Sequence, residues 1–375
     1  MNFSNVIGQR PAKAFLRKMA ESGCIPHALM FLGTPGSGGL ALALAFAQYA
    51  LCENKAEGEP CGKCSNCLKA EKSVHPDLHF AFPVVGTNVT SDTFLPEWRK
   101  ALEENPYFEV NQWLQRIGAE NKQGNINKEE CVQIVKKLSL KAFEGRYKIL
   151  LMWLPEYLGK EGNRLLKLIE EPPDDTLLIF VAENQELILN TILSRCQLVK
   201  IDRLTNEEVQ QGLVDLKNMP ANKAMAIANL SDGDFNEALK IAAQPENDNS
   251  ALFLDWLRKC YKGNGVEMAS WSEQFAGLGR ENQKQFLQYG LHFMREYMAL
   301  KMTGRKDVRL LANELASAQN LTKIIGFGQI GRIAALFNDC AYFIERNANQ
   351  KILFLDASIQ LNKILRDPQF EARKQ

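Results

Sequence analysis

Apolar residues along the N-terminal half of the chain follow two spacings in turn. Between Pro11 and Ser22, Ala14, Phe15, Met19 and Ala20 recur at helical spacing, which predicts a helix that packs through these residues and ends near Gly23. Ala28-Leu29-Met30-Phe31-Leu32 is a short apolar run stopped by Gly33-Thr34-Pro35-Gly36-Ser37-Gly38-Gly39, and Leu40 to Leu51 then returns to helix formers. The reading is strand, glycine-rich turn, helix. Lys128 to Leu140 predicts a helix with Val132, Val135 and Leu138 inward, and Lys148 to Leu154 is an apolar run of strand length. Asn163 to Glu171 carries Leu165, Leu166 and Ile169 at helical spacing and is halted by Pro172-Pro173, whose rings cannot continue a helix. Leu177 to Ala182 supplies another buried strand. Strands alternating with helices over the first ~200 residues predict an α/β fold with a parallel, helix-covered sheet.

The pattern changes after Leu204. Thr205-Asn206-Glu207-Glu208 reads as a helix cap, and helices without a further strand follow. Gln244 to Ser250 is polar, contains Pro245 and has linker composition, and from Ala251 to the end only helices are expected. Residues 83–124 stand apart: a polar stretch with Phe94, Trp98, Tyr107, Phe108 and Trp113, expected to form two short helices. At roughly 40 residues it is longer than an ordinary connection and reads as an insertion. Its aromatics fit either a partner-binding surface or internal packing, and packing is favoured.

Composition narrows the function. A chain of 375 residues with 46% hydrophobic and 24% charged residues exceeds one small module and can bury real cores. Its 45 Lys plus Arg against 44 Asp plus Glu, net +1, lack the basic excess of a chain that grips nucleic acid by itself, so any DNA contact should be local or shared. The N-terminus lacks a signal-peptide pattern, and the apolar runs Leu40 to Phe46 and Ile149 to Leu154 fall short of the ~18 residues that span a bilayer, so a cytoplasmic protein without membrane contact is expected.

The glycine turn has the spacing of a phosphate loop without its chemistry. A working loop reads G-x-x-x-x-G-K-[ST]: backbone amides cradle phosphates, the lysine reaches the β and γ phosphates, and the hydroxyl holds magnesium. Gly33 and Gly38 are correctly spaced, with Gly36 between them, but Gly39 and Leu40 occupy the lysine and hydroxyl positions. The acids expected at the end of the strand Lys148 to Leu154, which hold magnesium and orient water, are replaced by Trp153 and Leu154. Weak or no ATP binding follows. No Ser-His-Asp or Cys-His arrangement is readable, and His27 reads as structural.

Further segments stand in order: Val6-Ile7-Gly8-Gln9, Pro26-His27-Ala28, Asn163 to Pro173 with its Leu-Ile-Glu-Glu-Pro-Pro ending, and Thr191-Ile192-Leu193-Ser194-Arg195-Cys196-Gln197. Together with the altered phosphate loop they resemble the AAA+ subunits of the bacterial DNA polymerase III clamp loader, and among these the delta-prime type more than the ATP-hydrolysing gamma/tau type. The motifs cover residues 6 to about 240, and the helical remainder matches by size and position. The resemblance implies a RecA-like AAA+ domain over 1–203, a small helical lid over 204–245 and a helical collar over 250–375. It also implies a place beside gamma/tau and delta subunits in a five-membered ring that loads the sliding clamp onto primer-template DNA.

In that setting Arg195 matches an arginine lent to a neighbour's ATP site. A guanidinium is always charged and forks onto phosphate oxygens, and such a finger is worth roughly 10³ to 10⁵ in rate. The alternative role for Arg195 is a salt bridge at a domain edge. Alignment of Gly233 to Leu239 with the family's nucleotide-sensing lid helix puts Asn236 where active members carry a second arginine. Glu183-Asn184 departs from their polar sensor, with Asn184 the residue able to fill it. The competing reading is an ATP-hydrolysing gamma/tau-like subunit with an unusual site.

Nine cysteines are an odd count for a disulfide scaffold. Cys52, Cys61, Cys64 and Cys67 give C-x8-C-x2-C-x2-C, four thiolates suited to a tetrahedral structural zinc with no open position. Cys52 is the least certain ligand and His75 its possible substitute. The family has such a module after its first helix. A DNA-binding role for the cysteine module is disfavoured by the charge balance.

Overall fold

The computed structural model describes residues 1–120, 122–243, 249–304, 308–310, 312–322 and 324–366. Most of the expected linker, positions 244–248, lies outside the described residues. The chain divides into two compact units, Met1–Lys240 and Ile241–Gln375.

The first unit is built on a five-stranded parallel sheet: β1 (Ala28–Leu32), β2 (Leu78–Ala81), β3 (Lys148–Trp153), β4 (Thr176–Ala182) and β5 (Gln197–Lys200), in the order β2-β3-β4-β1-β5. β1, β3 and β4 were legible because strands covered on both faces read as unbroken apolar runs. β2 and β5 were not anticipated. Each has four residues and lies at a sheet edge, and β5 buries only Val199 fully, so neither shows a usable pattern.

Helix α1 (Arg10–Glu21) precedes β1, and α2 (Gly39–Leu51) follows it. Nearly every residue of α2 is buried, as expected of a helix apolar all round, and it packs on β1, β3 and β4. α3 (Ser65–Glu71), α4 (Leu95–Glu104), α5 (Val110–Arg116) and α6 (Lys128–Ser139) come next. A 3-10 stretch (Pro155–Leu165) leads into α7 (Leu166–Glu170), and α8 (Asn190–Leu193) precedes β5. Ile134 and Leu138 of α6 pack with Leu150, Met152, Leu178 and Phe180 in one core cluster.

Two helix faces differ from the expectation. In α1 the buried residues are Ala12, Leu16 and Met19, while Phe15 is 42% exposed. In α6 they are Glu130, Cys131, Ile134 and Leu138, leaving Val132 and Val135 exposed. Both alternatives have helical spacing, so periodicity alone could not choose. The polar anchor chose for α6: Glu130 Oε2 accepts from Ser91 N at 2.5 Å in the interior, turning the helix onto its Cys131 side.

Helices α9 (Asn206–Lys217), α10 (Ala221–Ser231) and α11 (Phe235–Ala242) complete this part of the chain. The expected cap of α9 is present as a reciprocal box between Thr205 and Glu208. Residues 204–240 belong to the same compact unit as the sheet. The second unit contains helices α12 (Asn249–Lys262), α13 (Gly265–Ala276), α14 (Arg280–Thr303), α15 (Ala312–Leu321), α16 (Phe327–Glu345) and α17 (Gln350–Arg366), and no strand among its described residues. Its core is aromatic: Trp256 stacks on Trp271 at 5.2 Å and donates through Nε1 to Ser358 Oγ at 2.8 Å, with Phe253, Phe275, Phe286, Phe337 and Phe354 around it.

Candidate functional site

The phosphate loop has the backbone of a phosphate cradle, but the space above it is filled. Gly36 and Gly38 adopt positive φ, +68° and +94°, at no steric cost to glycine. A Cβ on Gly36 would fall 1.8 Å from Asp234 Oδ1, and one on Gly38 2.9 Å from Tyr107 Cε1. Side chains of the chain itself therefore press on the loop where phosphates need room. Gly33, Thr34, Gly36, Ser37, Gly38, Gly39 and Leu40 face Pro106, Tyr107, Phe108, Trp153 and Glu183 across a cavity of about 20 Å³. That is space for about one water.

Trp153, at the end of β3 where an acid was missing, is fully buried. It meets Trp98 at 5.4 Å and Phe108 at 5.0 Å. Phe82 stacks on Trp98 at 4.2 Å, and Trp113 meets Trp98 edge-on and donates from Nε1 to Pro83 O at 2.8 Å. The aromatics of the 83–124 insertion are thus largely core, as favoured, and their core is continuous with the cleft.

Carboxyl groups crowd the cleft, and burial shifts three of them, Glu183, Asp234 and Glu156, toward the protonated form. Burial, reinforced by Glu156, Glu109 and Asp234, pushes Glu183 up to about 8. Burial likewise lifts Asp234 to about 6, against a hydrogen bond from Glu237 N. Glu156 is also raised by burial while accepting from Glu183 N at 2.6 Å and Asn184 N at 2.7 Å. Asn184, the candidate sensor, is exposed and caps its own turn by accepting from Glu186 N.

Asn236 is fully buried and committed elsewhere. Its Nδ2 donates to Glu109 Oε1 at 3.0 Å and Gln112 Oε1 at 2.8 Å, and its Oδ1 accepts from Asn105 Nδ2 at 2.9 Å. Asn105, Tyr107, Glu109, Gln112 and Asp234 were not anticipated as site residues. The only signal was the length of the insertion.

Arg195 follows α8 and is partly exposed. Its guanidinium holds Glu170 of α7, with Nε to Oε1 at 2.6 Å and Nη2 to Oε1 at 2.5 Å, and Nη1 donates to Thr191 O at 2.8 Å. In the isolated chain the salt-bridge alternative is therefore realised. An exposed pair of this kind is worth about 0 to 1 kcal/mol, so a stronger acceptor on another chain can compete for the guanidinium.

The four clustered cysteines converge. The sulfurs of Cys52, Cys61, Cys64 and Cys67 all lie within 4.8 Å of one another, close to the roughly 3.8 Å edge of a tetrahedron with 2.3 Å metal-sulfur bonds. Backbone amides point at the sulfurs: Cys61 N donates to Cys52 Sγ at 3.2 Å, and Cys64 N and Lys63 N to Cys61 Sγ at 3.4 and 3.5 Å. These two amides draw Cys61 down to about 6, whereas burial raises Cys52 and Cys67. Four such thiolates fit a closed, all-sulfur structural metal site. His75 is not among them: its Nε2 pairs with Asn66 Oδ1 at 3.2 Å and its Nδ1 accepts from Asp77 N at 3.1 Å.

The family described as DNA polymerase III, delta subunit, matches residues 8–205, the stretch that carries the sheet, the phosphate loop, the cysteine cluster and Arg195. The chain belongs to this family. It is 25% identical over 227 residues to the DNA polymerase III subunit delta' of Bacillus subtilis, covering 60% of this chain and 56% of that one. It is also 25% identical over 248 residues to the DNA polymerase III subunit tau of Escherichia coli, covering 64% of this chain and 32% of that one. The match thus spans about half or less of these relatives. Among solved structures, the Bacillus subtilis DNA clamp loader delta protein aligns over 94% of this chain and 99% of its own, with 12% identity and a TM-score of 0.35. No described helix of this family member is long and apolar enough to cross a membrane.

Proposed function

We propose that this chain is a non-hydrolysing subunit of a DNA polymerase III clamp loader, working inside the cell as a scaffold and as donor of Arg195 to an adjacent ATPase subunit. The observation that carries this reading is the phosphate loop of a DNA polymerase III family member, which lacks lysine and hydroxyl and is filled by Tyr107, Trp153 and Asp234. A triphosphate with magnesium would have to displace buried side chains and sit beside Glu183 and Asp234, with no ammonium to balance it. Arg195 holds Glu170, Thr191 O and Ser194 Oγ, all at the surface, and lies in the Ser-Arg-Cys segment, which supports its release toward a neighbour's phosphate. The ring partners are gamma/tau-like and delta-like subunits, with the sliding clamp and primer-template DNA engaged through the complex. Residues 250–375 serve as the collar that joins the subunits, and zinc is the metal of the cysteine cluster.

The likeness to tau favours a second reading, an ATP-hydrolysing subunit. Equilibrium titration of the full chain with magnesium ATP separates the two. No saturable binding below millimolar nucleotide is expected, and micromolar, magnesium-dependent binding with turnover would overturn the first reading.

A further inference from the structure

We propose that the segment Asn105–Gln112 of the insertion is a resident substitute for nucleotide: it occupies the cleft above the phosphate loop and braces helices α9–α11 against the sheet. A ligand seated above the loop would have to meet both the loop and α11, which faces it. Here a stretch of eight residues makes both sets of contacts by itself. The inference rests on the reading of a lost ATP site and adds what replaced the ligand.

The geometry runs from one side of the cleft to the other. Tyr107 lies over Gly38, and its hydroxyl accepts from Ile7 N at 3.0 Å, tying the segment to the N-terminal Val6 to Gln9 stretch. The other edge of the same ring meets Phe235 of α11 at 5.0 Å. Asn105 and the two capping residues of α5 then hold Asn236. Glu109 and Gln112 form the capping box of α5, with Glu109 N donating to Gln112 Oε1 at 3.0 Å, and both their side chains also accept from Asn236 Nδ2. Lys240 Nζ reaches Glu109 Oε1 at 3.2 Å, so an ion pair repeats the link one turn further along α11. A direct contact closes the arrangement: Phe235 N donates to Gly36 O at 3.1 Å, and Asp234, which caps α11 at Glu237 N, lies against Gly36.

Each polar atom of the buried Asn236 amide thereby has a partner from the insertion, and no water or ligand is needed to complete the network. A buried network satisfied in this way rigidifies what it joins, and it opens only by orphaning several groups together. The pose of α9–α11 is therefore built into the chain and independent of nucleotide.

Two measurements on the full chain test this. First, hydrogen exchange is compared between wild type and the Asn105→Ala/Asn236→Ala variant. Exchange in residues 206–240 should rise roughly ten-fold, the scale set by orphaning buried hydrogen-bonding groups, with β1, β3, β4 and the cysteine module unchanged. An unaltered profile, or a rise spread evenly over the sheet, would overturn the brace. Second, Gly39→Lys/Leu40→Thr restores the missing ammonium and hydroxyl, and titration with magnesium ATP reads the cleft. Continued failure to bind is expected while Tyr107 is present, and micromolar binding by this variant would show that the segment does not fill the site. Neither outcome touches ring ATPase, so failure here is distinguishable from failure of the Arg195 reading.

Discussion

Glu183 has an environment that departs far from its sequence context. Nothing in Val181-Ala182-Glu183-Asn184 marks a carboxyl that holds its proton to about pH 8, because the cause is burial beside Glu156, Glu109 and Asp234, which come from distant positions. A folded-state pKa above the ordinary carboxylate value means that the native state binds more protons between the two values. Its contribution is complete below about pH 4 and is lost as pH rises through 8. Glu183→Gln should therefore flatten part of the fall in stability between pH 5 and pH 9, by up to roughly 4 kcal/mol. Urea denaturation of both proteins at the two pH values checks this, and parallel pH profiles would remove Glu183 from the account. Arg195 shows the reverse: its motif was readable from sequence, but its pairing with Glu170 was not, since 25 residues separate the partners.

At the scale of elements, legibility followed burial. α2 and the three central strands were recognisable because they are covered on all sides, whereas the edge strand β2 is only four residues long and the edge strand β5 buries Val199 alone. The faces of α1 and α6 were misread because each helix carries two apolar stripes, and tertiary partners such as Ser91 selected one. The cysteine module was the clearest local signal, since the spacing of two overlapping Cys-x-x-Cys steps already places sulfurs together. The zinc proposed for it has a direct consequence. Metal analysis of the reduced protein should find about one zinc per chain, and chelation should lower Tm by several degrees while exposing the thiols. Full stability without metal would refute a structural site.

At the scale of the molecule, the order of sheet before helices could be read, because a change of period in the apolar pattern marks it. The contents of the nucleotide cleft could not. Gly39 and Trp153 told what chemistry was missing, yet what had filled the space, Tyr107 and the Asn105–Gln112 segment, depends on a fold-back of the insertion across about a hundred residues from Ile7, which no local spacing encodes. The near balance of charge fits a protein whose contact with DNA is shared with its neighbours. On the proposed reading, a chain without a working cleft contributes to the assembly through what it presents to others.

The most direct test of that contribution is the DNA-stimulated ATPase of a loader reconstituted from this chain and its cognate subunits, compared between wild type and Arg195→Ala. The substitution should leave folding and ring assembly intact, because it removes only surface contacts, the ion pair with Glu170 and hydrogen bonds to Thr191 O and Ser194 Oγ. The adjoining ATP site should lose roughly 10³-fold or more of its rate. Turnover at the wild-type rate in a correctly assembled ring would contradict the account.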